Sequence, residues 1–198
     1  PGGGAEERPA YERGGERVRG RKRIREVGVT DCQNAAASQS PVLLAQTAAG
    51  LVTRHGDGPF EQLVGSEGAI APQISPDGRY VAYVRDGELQ VQETRGTTSR
   101  TLTSGAGPGI TNGLAEFVAQ EEMHRGEGFW WSPDGRYLAF ERANSLHIPI
   151  YPILHQGKDT IDIEEHAYPF AGAGNVRAQL GGVSVEGCET PSLGLAAQ

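Results

Sequence analysis

The sequence predicts an all-β fold, a partial β-propeller of four-stranded antiparallel blades, from three observations. A twelve-residue motif occurs twice, at 74–85 and 131–142, with eight identities at an offset of 57 residues. Residues 88–93 alternate polar and apolar side chains with the period of two that is typical of a strand. Glycine makes up 29 of the 198 residues, a share about twice the usual one, which indicates many tight turns.

Each copy of the motif is predicted to form a β-hairpin. In Ser-Pro-Asp-Gly, proline fixes φ, aspartate accepts a hydrogen bond from the backbone and glycine tolerates a positive φ, so that a turn forms. The β-favouring Tyr-(Val/Leu)-Ala-(Tyr/Phe) then continues as a strand. With 88–93 and 99–103, four short strands are expected between residues 70 and 103. Units of this kind, repeated every ~40–50 residues, are typical of propeller blades.

An inserted helix is predicted between the two hairpins, because the offset of 57 residues exceeds one blade by roughly a dozen residues. Residues 114–125 are expected to be helical, with Asn112 as the N-cap. Leu114, Phe117 and Val118 define an apolar stripe along this helix.

The next positions of the stripe hold two carboxylates, Glu121 and Glu122. They favour one of two interpretations. Either a cation such as an ammonium or guanidinium group binds there, or the last turn lies in solvent and Glu121 pairs with Arg125 at i+4. The spacing alone favours the second interpretation.

The N-terminal part of the chain differs in composition from the rest. Residues 1–30 carry eight Arg and Lys and five Glu, which gives them a formal charge of +3, whereas the whole chain has a net charge of −7. Residues 1–40 are therefore predicted to be a disordered Gly/Arg/Glu-rich tail, 41–69 a poorly defined lead-in strand region, and 70–198 the partial propeller. The basic run 19–25 is interpreted as part of the solvated tail, so no nucleic-acid partner is expected.

Several other classes of function find no support in the sequence. No apolar run approaches the ~18 residues of a membrane span, and the apolar segment 41–52 lacks the basic flank of a signal peptide. Cys32 and Cys188 lie far apart, and the five histidines show no metal-ligand spacing. The glycine-rich stretches match no phosphate-binding pattern. We therefore expect no metal and no cofactor.

Three ordered motifs carry a resemblance to a known family. They are NGLAEFVAQEEM at 112–123, GFWWSPDG at 128–135 and YPFAGAGN at 168–175. Over about 59–183 the chain resembles the N-terminal β-propeller domain of dipeptidyl peptidase IV, in the prolyl oligopeptidase family of serine peptidases. The resemblance implies an eight-bladed propeller that caps a C-terminal α/β-hydrolase domain, in an enzyme that releases N-terminal dipeptides, preferentially after Pro or Ala.

The resemblance also implies a role for the inserted helix. In the family a double-Glu motif on this helix binds the free α-amine of the substrate, and it matches Glu121 and Glu122. The cation-binding interpretation thereby becomes the favoured one. Two carboxylates can hold a protonated amine through charge-assisted hydrogen bonds and so set the distance to the scissile bond. The implied partners are a peptide N-terminus and the hydrolase domain of a parent enzyme.

The chain departs from the family pattern in other respects. It has no G-x-S-x-G elbow, so no catalytic residue is assigned and the chain alone is predicted to be inactive. Its 198 residues are too few for eight blades, and nothing matches the family arginine that assists the double-Glu motif. Because family members are exported, membrane-anchored or cytosolic, the localisation is left unassigned.

The predicted function is that of a non-catalytic propeller segment of a dipeptidyl-peptidase-IV-like serine exopeptidase. An alternative is a propeller-type protein interaction module that self-associates through open blade edges, since unpaired strand edges are prone to pairing. A further alternative is a nonfunctional truncated fragment.

Overall fold

The computed structural model describes residues 27–29, 41–155, 157, 162–186 and 189–190. Its strands form antiparallel sheets that follow one another along the chain, and one short helix projects from the third of them. No helix of these residues is long and apolar enough to cross a membrane.

The first sheet has the order β1-β2-β3-β4. Its strands are β1 (Val27–Val29), β2 (Val42–Thr47), β3 (Gly50–His55) and β4 (Glu61–Gln62). The segment predicted as a lead-in region thus contributes three of its strands, and β1 comes from the predicted tail. The remainder of that tail, at 1–26 and 30–40, lies outside the described residues.

The second sheet confirms the four strands predicted between residues 70 and 103. They are β5 (Ile70–Ile74), β6 (Tyr80–Arg85), β7 (Glu88–Glu93) and β8 (Ser99–Thr101), in sequential order. The predicted turn joins β5 to β6, where Ser75 Oγ donates to Asp77 Oδ1 at 2.6 Å and Gly78 has φ +73°. A positive φ favours glycine because it has no Cβ.

The third sheet contains the second copy of the repeated motif. Its strands are β9 (Ile110–Asn112), β10 (Phe129–Trp131), β11 (Tyr137–Asn144), β14 (Arg177–Ser184) and β15 (Glu189–Thr190), and both β9 and β10 pair with β11. The turn before β11 repeats the geometry of the first copy, with Ser132 Oγ 2.6 Å from Asp134 Oδ1. A separate hairpin, β12 (Ile150–His155) and β13 (Asp162–Ala167), lies between β11 and β14, and helix α1 (Phe117–Glu122) lies between β9 and β10.

The core explains why β6 is apolar at consecutive positions. Val81 and Tyr83 pack against the first sheet in a cluster with Leu44 and Leu51, whereas Ala82 and Val84 belong to a cluster that includes side chains of the third sheet. Since successive residues of a strand point to opposite faces, the second sheet is buried on both sides. Four-stranded sheets packed face to face in chain order are propeller blades, so the predicted partial propeller is confirmed.

Candidate functional site

The candidate site lies on a segment that projects from the third sheet. β9 and β10 pair with the same edge of β11, through Asn112↔Arg142 and Phe129↔Phe140. The two short strands therefore act as one edge strand that is interrupted opposite residue 141. Residues 113–128 leave the sheet at this interruption, and we refer to them as the insert.

Three backbone hydrogen bonds close the base of the insert. Gly113 N donates to Glu141 O at 2.8 Å, Glu141 N donates to Gly128 O at 2.7 Å, and Gly128 N donates to Gly113 O at 3.1 Å. The chain passes so closely here that a Cβ on Gly128 would overlap the carbonyl group of Leu114. The insert is therefore anchored at both of its ends to one residue of β11.

Helix α1 is shorter than predicted and has a different N-cap. It spans Phe117–Glu122, and Glu116 caps it by accepting from Val118 N at 2.8 Å and Ala119 N at 2.7 Å. The prediction of a helix over 114–125 capped by Asn112 is wrong. Asn112 is instead held in the sheet edge with 1% exposure, where its Nδ2 donates to Glu88 Oε2 at 2.8 Å.

The two predicted site residues end α1. Glu121 and Glu122 are both exposed, and neither carboxylate has a hydrogen bond or ion pair with another described residue. Two neighbouring polar side chains are engaged within the insert. Glu116 caps the helix, and Gln120 Nε2 donates to Ala115 O at 2.7 Å. Glu121 and Glu122 are therefore the polar side chains of α1 that no other described residue engages.

Arg125 does not form the i+4 pair with Glu121 that the alternative interpretation of the helix included. Its Nη1 lies 3.0 Å from Glu141 Oε2 and also donates to Glu127 O at 3.0 Å. The guanidinium carbon lies 5.9 Å from the ring centroid of Trp130, within the range of a cation–π contact. Sequence reasoning did not single out Glu141. The repeated motif does mark Glu141 as unusual, because this carboxylate aligns with the apolar Val84 of the first copy.

The structure brings the three sequence motifs together. The ring of Phe117, in α1, packs edge to face on Tyr168 of the third motif, with centroids 6.0 Å apart. In the second motif Trp130 is 43% exposed, whereas Trp131 packs against the core. No three His, Cys, Asp or Glu side chains of the described residues are grouped so as to hold a metal ion.

The fold and the insert define the described part of the chain as a segment of a β-propeller with a helical insertion in one blade. The family model of the dipeptidyl peptidase IV (DPP IV) N-terminal region matches residues 45–196, and the chain belongs to this family. The resemblance stated from the three motifs is thereby confirmed.

Known relatives agree with this assignment. The chain is 32% identical over 132 residues to dipeptidyl-aminopeptidase B of Aspergillus niger, which covers 60% of this chain and 15% of that protein. It is 45% identical over 83 residues to dipeptidyl peptidase 4 of Trichophyton equinum, covering 41% of this chain and 10% of that protein. Porphyromonas gingivalis dipeptidyl peptidase 4 is structurally similar, with a TM-score of 0.68 at 26% identity over 87% of this chain and 24% of that one. The chain thus spans a small part of each relative.

Proposed function

We propose that this chain supplies the amine-binding element of a dipeptidyl-peptidase-IV-like exopeptidase, in which Glu121 and Glu122 bind the protonated α-amine of a peptide. The observation that supports this role is the pair of exposed carboxylates at the end of α1, which no other described residue engages. The family membership makes a peptide N-terminus the ligand of choice.

The chemistry of the two groups suits an ammonium ion. A protonated amine offers three N–H donors, and two carboxylates offer four oxygens that accept charge-assisted hydrogen bonds. Adjacent helical residues point about 100° apart, but Glu121 and Glu122 lie in the final turn, and Met123 ends the helix with φ −107° and ψ 0°. Both side chains can therefore turn toward one ligand without meeting a following helical turn.

The role of such a site is to measure length. A peptide held by its amine presents a fixed number of residues before the bond that is cleaved, so that an enzyme with this clamp removes a unit of constant size. The residues that cleave the bond would belong to the hydrolase domain of the parent enzyme, which we propose as the partner of this segment. No residue of the present chain is assigned a catalytic role.

The test is direct binding of a small peptide to the chain. We expect glycyl-proline amide to shift the side-chain NMR signals of Glu121 and Glu122 in a saturable way, and N-acetyl-glycyl-proline amide not to do so. Glu121→Gln together with Glu122→Gln should weaken binding by about tenfold or more, since a hydrogen bond to a charged group contributes about 1.5–3 kcal/mol. Glu127→Gln, which removes one negative charge at another exposed position of the insert, should leave the affinity unchanged. Equal binding of the acetylated peptide would refute the proposal.

A second candidate function, protein association, is favoured by the β12–β13 hairpin. This hairpin leaves a set of apolar side chains exposed, namely Ile150, Tyr151, Ile153, Leu154 and Ile163. An exposed apolar group of this extent is typical of an interaction surface. If the chain uses it, Ile153→Ser with Leu154→Ser should lower the sedimentation coefficient at high concentration. An unchanged sedimentation coefficient would exclude the hairpin as the association surface. Association through open blade edges would then stay the prediction made from the sequence.

A further inference from the structure

We propose that Glu141 is a positioning residue that holds Arg125 away from Glu121 and Glu122, so that the two carboxylates stay free for an external amine. The functional meaning of this inference rests on the proposed amine site. Its structural content, the placement of one guanidinium group, can be tested without a ligand.

Arg125 is the natural internal competitor for the site. It follows Glu121 by four residues and Glu122 by three, and these are the spacings at which oppositely charged side chains meet on a helix. A guanidinium group carries the same charge as the ammonium ligand and matches a carboxylate in two parallel hydrogen bonds. If α1 continued by one more turn, Arg125 would occupy the carboxylates.

Two features of the structure prevent this. The helix ends at Glu122, and His124 follows in the left-handed region with φ +52°, which turns the backbone off the helical path. The guanidinium group of Arg125 then reaches Glu141 Oε2 at 3.0 Å, and it also lies over Trp130. The competitor is thereby held at the base of the insert rather than at its tip.

The comparison of the two blades indicates that Glu141 serves the insert rather than the core. In the repeated motif Glu141 occupies the position of Val84, which is fully buried in the core of the second sheet. The side chain of Glu141 is only 9% exposed, so a charge has been placed where the sister blade has a hydrocarbon. A buried ion pair is often no more stabilising than apolar residues of similar volume. Stability of the blade therefore does not explain Glu141, whereas the need to hold Arg125 does.

Glu141→Val tests the inference, because it installs the side chain that the sister blade already accommodates and releases Arg125. We expect the carboxyl NMR signals of Glu121 and Glu122 to shift in the absence of any ligand, since a guanidinium group can then hydrogen-bond to them. Binding of glycyl-proline amide should weaken about two- to fivefold, the range expected for competition by an exposed ion pair. Glu127→Gln, which removes one negative charge elsewhere in the insert, should produce neither change.

Glu141→Val combined with Arg125→Met supplies the decisive comparison. It removes the competitor together with the residue that holds it, so both carboxyl signals should return to their original positions and the peptide affinity to at least its original level. A loss of binding that persists in the double variant would mean that Glu141 acts through the fold of the insert, and would overturn the inference. So would a Glu141→Val variant in which the carboxyl signals of Glu121 and Glu122 are unchanged. If the original chain does not distinguish the free from the acetylated peptide, the amine-binding function fails, while the comparison of the carboxyl signals still decides where Arg125 lies.

Discussion

Gly113 and Gly128 lie against each other at the base of the insert, where the amide of Gly128 donates to the carbonyl of Gly113 at 3.1 Å. Both glycines are also bonded to the backbone of Glu141. The insert therefore reaches the blade through a narrow neck, and the geometry at its tip depends on the close passage of two chain segments.

Gly128→Ala should disrupt this neck. The added methyl group would overlap the carbonyl group of Leu114, which is backbone and cannot rotate away. We expect a loss of about 1–3 kcal/mol in the free energy of unfolding, as for other overpacked sites, measured by urea titration. Gly126→Ala is the matched control, because a Cβ there meets nothing within 4 Å. Equal unfolding free energies for the two variants would show that the neck tolerates a side chain.

Glu116→Ala should loosen α1 without unfolding the blades. It removes the two hydrogen bonds to Val118 N and Ala119 N that cap the helix, and loss of a cap costs about 1 kcal/mol. Amide hydrogen exchange should accelerate at Gln120 and Met123, whose N–H groups bond within the helix. Glu116→Asp retains a capping carboxylate and should exchange at nearly the original rate. Unchanged exchange in the alanine variant would contradict the capping role.

Peptide binding should depend on the charge of the ligand amine. An α-amino group has a pKa of about 7.7–8.0, so the affinity for glycyl-proline amide should fall about tenfold for each pH unit above this range as the ammonium form disappears. Binding is measured at pH 6, 7, 8 and 9 by NMR titration of the Glu121 and Glu122 signals. An affinity that does not change between pH 7 and 9 would argue against recognition of an ammonium group.

The Ser-Pro-Asp-Gly turn at 132–135, before β11, should make a pH-dependent contribution to the stability of the fold. The Ser132 hydroxyl, and after it the backbone N–H of Arg136, lower the pKa of Asp134. A carboxyl group whose pKa is lowered on folding stabilises the fold above its ordinary pKa and loses that contribution as the pH falls through the lowered value. Ser132→Ala should raise the pKa of Asp134 toward its ordinary value, as followed by NMR titration. An unchanged pKa of Asp134 in this variant would show that the Ser132 hydroxyl is not the main cause of the lowered pKa.

The local part of this fold could be read from the sequence. The two turns, the strands on either side of them and β7 follow from turn chemistry and a period of two, because these signals act between residues close together in the chain. The adjacent carboxylates Glu121 and Glu122 were also visible as polar residues on an apolar stripe.

Contacts between distant residues were decided by the tertiary structure. Asn112 is a residue type that is common at N-caps, yet its side chain hydrogen-bonds to Glu88 of the preceding sheet. Glu116, which directly precedes α1, caps the helix instead. Arg125 has the spacing to pair with Glu121, but it pairs with Glu141 because β9 and β10 meet β11 on both sides of that residue. The sequence alone determined the two hairpins of the repeated motif and the presence of the two carboxylates. The pairing of β9 and β10 with β11 decided which charges lie within reach of one another, since electrostatic partners are set by distance in space and not along the chain.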